Sequence, residues 1–199
     1  VWTTTPWTLP GNVAVVAHPD VDYVTVERDN NGTKEKLIFA KALLEKVFGE
    51  EEVKVLDTFK GKKLNGMKYQ PLYTFLPPDK PAYFVVMGDY VTTEDGTGLV
   101  HTAPAFGQED METGKKYGLP VLMTVLPDGT FIPEVTPWRG VFVKDADPHI
   151  IEDLRARGLL FKHEPYTHTY PFCWRCHTPL LYYARESWYI RTSAYRDRL

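Results

Sequence analysis

Cysteine is scarce in this 199-residue chain. The only two, Cys173 and Cys176, sit three positions apart, so no disulfide framework holds the fold, and such thiols suit a reducing compartment. Long apolar runs are missing too: no stretch of about 18 apolar residues is present to cross a bilayer as a helix. The opening VWTTTPWT supplies neither the basic nor the apolar part of a secretory leader. It starts on Val1, which leads us to expect a piece of a longer protein, while the two thiols and the missing apolar span lead us to expect a cytoplasmic location and no membrane partner. Nucleotide-handling signatures are absent as well. Gly96-Thr97-Gly98 fails the dinucleotide pattern, because His101 stands where the third glycine belongs. There is no P-loop, no G-x-S-x-G elbow and no H-E-x-x-H pair.

What is present describes a globular domain. Apolar residues make up 43% and aromatics 14%, too much for a solvated coil. The length fits one domain with an appendage. Net charge is −3, which gives no general attraction to nucleic acid, but it is unevenly spread. Residues 1–138 hold 13 Lys/Arg against 19 Asp/Glu, whereas residues 139–199 hold 10 against 7 and eight of the nine arginines. Such asymmetry fits either ordinary solvated charge or a face turned toward nucleic acid.

Apolar alternation and β-branched runs predict strands at 13–17, 23–27, 53–59, 83–91, 98–102 and 122–126. Leu37, Ala40, Leu44 and Val47 recur at helical spacing, predicting one helix over 35–50 that stops near Gly49. A second helix is expected over 108–117, ended by Gly118, and a third over 148–157, capped by Asp147. Turn signals include Asn30-Asn31-Gly32 and Asp128-Gly129. The expected class is α+β, with a β-barrel-like core and a few peripheral helices. We place the domain core at 1–158. Residues 159–199 are more aromatic and basic, and form a separate C-terminal part.

Two segments concentrate chemistry. In residues 1–12, Thr3, Thr4, Thr5 and Thr8 are interrupted by Pro6 and followed by Pro10, which excludes a regular helix or a central strand. Stiffened this way, the segment presents hydroxyls that both donate and accept, suited to a sugar, an ester or a held water. An edge strand rich in threonine is the plainer alternative. In residues 95–110, Gly96 and Gly98 permit close backbone approach. His101 lies at a strand's end, and Asp110 in a helix's first turn. There it either favours the helix dipole or faces a ligand cation.

Taken together, TTTPWTLPGN and, about a hundred residues on, GTGLVHTAPAFGQED resemble the editing insertion of isoleucyl-tRNA synthetases, class I enzymes. YPFCWRCHTPL resembles the stretch where that insertion rejoins the catalytic core, so the likeness covers nearly the whole chain. Valyl and leucyl relatives typically carry Thr-Arg-Pro where this chain has Thr5-Pro6-Trp7. The motifs of the synthetic site are absent, so no amino-acid activation is expected. The resemblance implies hydrolysis of valyl-tRNA(Ile), with the 3′-aminoacylated tRNA, its valine moiety and the rest of the synthetase chain as partners. It implies a catalytic group of Asp110, holding the α-ammonium, with Thr4, Thr5 and His101, the last rejecting the isoleucyl side chain. Thr3, Trp7, Thr8, Asn12, Gly96, Thr97 and Gly98 are then substrate-binding, with backbone N–H groups near the glycines facing the oxyanion. Trp7 packs either on substrate or in the core.

No cofactor is expected for editing. Cys173 and Cys176 form half of a tetrahedral zinc site. In resembling enzymes the second thiol pair lies outside the insertion, which implies a structural zinc in the longer protein; His163, His168 or His177 are the substitutes within this chain. Three other readings stay open: a non-catalytic RNA-binding module, a linker module, and the editing domain of a valyl or leucyl relative.

Overall fold

The run Ala14–Ala17 is apolar at every position, as a strand covered on both faces must be. In the computed structural model, which describes residues 1–30, 32–49, 51–167 and 169–196, it forms β1. It is the centre of a three-stranded sheet. β5 (Phe84–Met87) runs parallel to it on one side and β6 (Leu99–Thr102) antiparallel on the other. Val15 therefore pairs with both Val85 and His101. A second sheet is antiparallel, with β2 (Asp22–Asn30) between β3 (Thr33–Ala40) and β4 (Lys54–Lys60). The α+β class holds, and its strands divide into these two small sheets.

The sheets are joined where β3 ends and β6 begins. The Tyr23 hydroxyl donates to the Gly98 carbonyl at 2.6 Å, and the Ala40 N–H donates to the Thr97 carbonyl at 2.9 Å. Gly98 has φ +69, and a Cβ there would lie 2.5 Å from the Ala40 Cβ. Only glycine fits the join.

The helix expected over 35–50 is strand over 35–40 and helical only after that, starting with the 3₁₀ turn Lys41–Leu43. Lys34 through Ala40 continue β3, and helix α1 covers only Leu44–Phe48, closed by Gly49 at φ +58. Glu50 lies outside the described residues. Leu37 and Phe39 alternate inward opposite Val26 and Val24, and Glu35 is ion-paired with Arg28 across the strands. A two-residue period and a three-to-four-residue period share several of these positions, and pairing with β2 decides between them. Asn31 of the expected turn also lies outside the described residues; Gly32 has φ +85, and its N–H donates to Asp29 Oδ1 at 2.6 Å.

α2 spans Gln108–Tyr117 and ends on left-handed Gly118, as its sequence predicts. α3 starts earlier than expected, spanning Val143–Ala156 with Pro148 inside. Its buried face of Val143, Ala146, Ile150 and Leu154 begins before the proline, and that burial overrides the proline as a start signal. Asp147 is thus not a cap; Phe142 holds that position. The strand expected over 83–91 is confined to β5, and 122–126 forms no strand, only a bridge from Val125 to Phe131 around the turn at Gly129.

Three apolar clusters fill the interior. One lies beneath α3, around Trp7, Phe131, Trp138 and Ile150. A second joins the two sheets through Tyr23, Val24, Phe39 and Leu43. The third involves Val13, Val16, Val86 and Leu122. Beyond Leu159 the chain is mostly irregular and exposed, yet anchored: Leu160, Leu181 and Tyr183 pack on the first cluster, and the Ala184 N–H donates to the Ala105 carbonyl at 2.8 Å.

Candidate functional site

The threonine-rich segment is neither edge strand nor loose loop. Pro6–Gly11 form a short 3₁₀ helix, started by a proline whose fixed φ suits that position. Asp147 on α3 holds it in place, accepting from the Trp7 N–H at 2.8 Å. Burial raises that carboxyl to about pH 6, against the lowering effect of the Trp7 N–H and Lys144. Trp7 itself is core: 2% exposed, edge-on to Phe106 with ring centroids 5.1 Å apart. Of the two readings of Trp7, the structure carries packing.

Anchoring the 3₁₀ helix brings Thr8 to His101. Thr8 Oγ1 lies 2.8 Å from His101 Nε2 and donates to the Thr5 carbonyl at 2.8 Å. On the other side of the ring, Asn12 Nδ2 lies 3.2 Å from His101 Nδ1 and donates to the Ala14 carbonyl at 2.9 Å. A carbonyl only accepts, so the amide orientation is fixed. Asn12 then donates to Nδ1, which leaves the proton of a neutral imidazole on Nε2, aimed at Thr8. Burial pushes the His101 pKa down to about 4, so the ring is neutral near pH 7. Thr3, Thr5 and Thr8 continue the line through their hydroxyls at 3.4 Å spacings. Thr4 is exposed and stands outside this chain of bonds.

Asp110 approaches from the first turn of α2. Its Oδ2 accepts from the Ala103 N–H at 3.0 Å, clipping the Pro104-containing loop to the helix, and burial raises its pKa. Oδ1 has no protein donor among the described residues. Gly96 and Gly98 have φ of +74 and +69, but what approaches them closely is protein. A Cβ on Gly96 would lie 3.0 Å from the Trp2 ring, and Gly98 faces Ala40. Thr97 turns its hydroxyl to the Leu99 carbonyl at 3.3 Å. The expected close backbone approach is therefore used in packing the loop.

Two contributors gave no sequence signal for this role: Tyr69, which stood out for nothing, and Asp147, which read only as a helix cap. Tyr69 donates to Asn12 Oδ1 at 2.6 Å from a segment of little regular structure. Both act across more than fifty residues of chain.

The cysteine pair sits in a tight turn: the Cys173 N–H donates to the Thr178 carbonyl and the His177 N–H to the Cys173 carbonyl, each at 2.9 Å. The Thr178 hydroxyl beside Cys176 lowers its thiol to about 7, assisted by the Thr178 backbone and by Cys173. Two thiols could supply only two of the four ligands that a tetrahedral structural zinc takes. No group of three or more metal-ligating side chains occurs among the described residues. His168 lies outside them.

No family model matches the chain. Individual proteins do. Isoleucine–tRNA ligase of Clostridium novyi is 55% identical over 198 residues, covering 100% of this chain and 19% of that protein. The Streptomyces coelicolor isoleucine–tRNA ligase is 55% identical over 199 residues, again over 100% of this chain and 19% of that protein. Over its whole length the chain is similar to one segment of the isoleucine–tRNA ligases. It spans about a fifth of the length of these ligases. Among solved structures, the P. falciparum cytosolic leucyl-tRNA synthetase editing domain superimposes with a TM-score of 0.62 at 12% identity, covering 79% of this chain and 75% of that one. At that identity the likeness establishes a shared fold between this chain and the leucyl domain, and nothing more. No helix among the described residues is long and apolar enough to cross a membrane.

Proposed function

We propose that this chain is the editing domain of an isoleucyl-tRNA synthetase and hydrolyses valyl-tRNA(Ile). One observation carries the reading: the threonine segment and His101, more than ninety residues apart, share one buried line of hydrogen bonds. A surface edge strand has no use for such a line. The similarity to isoleucine–tRNA ligases and the fold support the same reading.

The need for such a site is energetic. A pocket that accepts isoleucine excludes valine by only the missing methylene, about 1–3 kcal/mol. Isoleucine against valine is the standard illustration of that limit, so the figure is no result of this structure. A second pocket that admits the smaller group and hydrolyses it supplies the rest.

In this reading Asp110 Oδ1 accepts the α-ammonium, a charge-assisted contact indifferent to side-chain size. His101 is neutral and already hydrogen-bonded on both nitrogens, so it serves as the wall against the larger side chain. Water adds to the ester carbonyl and the bond to the ribose oxygen breaks. The water's proton ends on that oxygen, releasing valine and free tRNA. The hydroxyls of Thr5 and its neighbours orient the water and the ribose, with Thr4 free to meet the nucleotide. Residues 159–199 are the return connection toward the catalytic core. Cys173 and Cys176 would hold half of a zinc completed by thiolates elsewhere in the longer protein; there the metal only braces the turn. The cytoplasm is the expected location, where charged tRNA is used.

The test is deacylation of valyl- and isoleucyl-tRNA(Ile) by this chain and by a full-length relative. Preferential hydrolysis of the valyl ester is expected from both. Failure of the full-length protein to discriminate would refute the assignment.

A further inference from the structure

Thr3, Thr4 and Thr5 lie in no strand or helix, so their placement rests on the two ends of the stretch. Downstream, the 3₁₀ helix and its Asp147 anchor fix the chain from Pro6 onward. The upstream end is Trp2, half-buried beside β6. Its backbone makes an isolated bridge to Val100, next to His101, in which its N–H meets the Leu99 carbonyl at 3.4 Å, longer than an ordinary hydrogen bond. The Trp2 ring adds to this hold. It fills the space that Gly96 leaves open, where a Cβ would lie 3.0 Å from the ring. Tyr166, from the C-terminal part, meets it edge-on with ring centroids 5.0 Å apart. The Tyr166 hydroxyl donates to Asp95 Oδ2 at 3.2 Å, next to Gly96, and Asp95 is ion-paired with Lys46 of α1. Tyr166 therefore touches Trp2 directly and also steadies the loop on which Trp2 rests.

We propose that Tyr166 is a positioning residue of the hydrolytic site. Its ring holds the Trp2 ring in place and so sets where Thr3 and Thr4 leave the edge of β6 for the 3₁₀ helix. From there Thr3 turns its hydroxyl back to accept from the Thr5 N–H at 3.0 Å and to meet the Thr5 hydroxyl at 3.4 Å, the first link of the line toward His101. Without the Tyr166 ring, Trp2 keeps its bridge and its contact with Gly96, but it samples more positions, and Thr3 and Thr4 move with it. Thr8 and His101 stay put, because the 3₁₀ helix and β6 hold them independently. A substrate must then order the upstream threonines as it binds. Its apparent affinity falls with the fraction of time they are in place, while the wall at His101 is unchanged. The inference rests on the hydrolytic reading above, yet the loosening of Thr3 is visible without substrate.

The test compares the wild-type 199-residue chain with Tyr166→Ala, Tyr166→Phe, Trp2→Ala and the double variant Trp2→Ala/Tyr166→Ala. In Tyr166→Ala, hydrogen exchange at the Thr5 N–H should quicken about twofold to tenfold, the scale of one aromatic pair. Exchange at the Thr8 N–H, inside the 3₁₀ helix, should not change, nor should the melting temperature, since Tyr166 is 45% exposed. KM for valyl-tRNA(Ile) should rise by a similar factor, with kcat and the ratio of valyl to isoleucyl hydrolysis unmoved. Tyr166→Phe keeps the ring and should restore both exchange and KM. Because Tyr166 acts through Trp2, the double variant should be no more impaired than Trp2→Ala. Wild-type exchange at Thr5 in Tyr166→Ala overturns the proposal, and so does quickened exchange with unaltered KM. A loss that adds to that of Trp2→Ala, or a phenylalanine variant as impaired as the alanine one, overturns it too. If the wild-type chain and its full-length relative hydrolyse neither ester, the hydrolytic reading falls on that result alone, and the positioning role falls with it.

Discussion

At the scale of single residues, His101 and Asp110 make separable predictions. His101→Ala removes two hydrogen bonds and, on the proposed reading, a wall. On that reading the isoleucyl ester should then be hydrolysed as well, with discrimination falling about tenfold to two-hundredfold. A general base would instead slow both esters in parallel, so the ratio of the two deacylation rates decides between the roles. For Asp110 the clip to the Ala103 N–H complicates the simple alanine test, since removing the carboxyl also frees the loop. Asp110→Asn keeps an oxygen for that N–H and removes only the charge. It should cost about 1.5–3 kcal/mol of transition-state binding while the melting temperature stays put. Near-normal deacylation by this variant would leave Asp110 a loop clip and nothing more.

Among the elements, the contact between α3 and the 3₁₀ helix is the one on which the site depends. Ile150→Ala under α3 should cost about 2–5 kcal/mol of stability. Among the buried groups, His101 and Asp147 contribute to the pH dependence of stability with opposite signs, and Asp110 shares the sign of Asp147. His101, lowered from 6.5 to about 4, binds no proton in the folded state over that range. Its contribution is complete above pH 6.5 and is lost as pH falls toward 4. Asp147, raised from 3.8 to about 6, binds a proton more tightly when folded, so its contribution falls as pH rises through that window. Asp147→Asn keeps an acceptor for the Trp7 N–H and ends the titration. It should gain about 1 kcal/mol at pH 7.5 after allowance for solvent screening, and lose stability more steeply than wild type between pH 6.5 and 4. Urea melts at three pH values check both slopes.

These elements also mark how far the sequence could be read. β1 and α2 were legible because apolar run, turn and stop signals lie within the element itself. The β3 segment was not, because its helical and strand periods overlap and the choice rests with β2. The 3₁₀ helix and the start of α3 depend on each other across 140 residues. In the site, the threonines and His101 stood out as residue types, whereas Tyr69 and Asp147 look like any tyrosine and any acid until the fold sets them against Asn12 and Trp7.

For the whole molecule, the last anchor of the C-terminal part among the described residues is the Ala184 N–H on the Ala105 carbonyl. Beyond it Trp188, Tyr189 and Ile190 are at least 85% exposed. Ending the chain after Ala184 should change stability by no more than about 0.5 kcal/mol, measured by urea melting against the 199-residue chain. The register of the first sheet carries a consequence of its own, in time. Val15 finds its partners only at Val85 and His101, and the Trp7 N–H finds its acceptor only at Asp147. During synthesis the β2–β3 hairpin can close as soon as Ala40 has left the ribosome. β1 must wait for some seventy further residues, and the threonine segment for more than a hundred. The part of the chain made first is thus the part that settles last. The Trp7 anchor that holds the threonine segment forms only after α3 has been made, so the proposed site is assembled when most of the domain's length is already free.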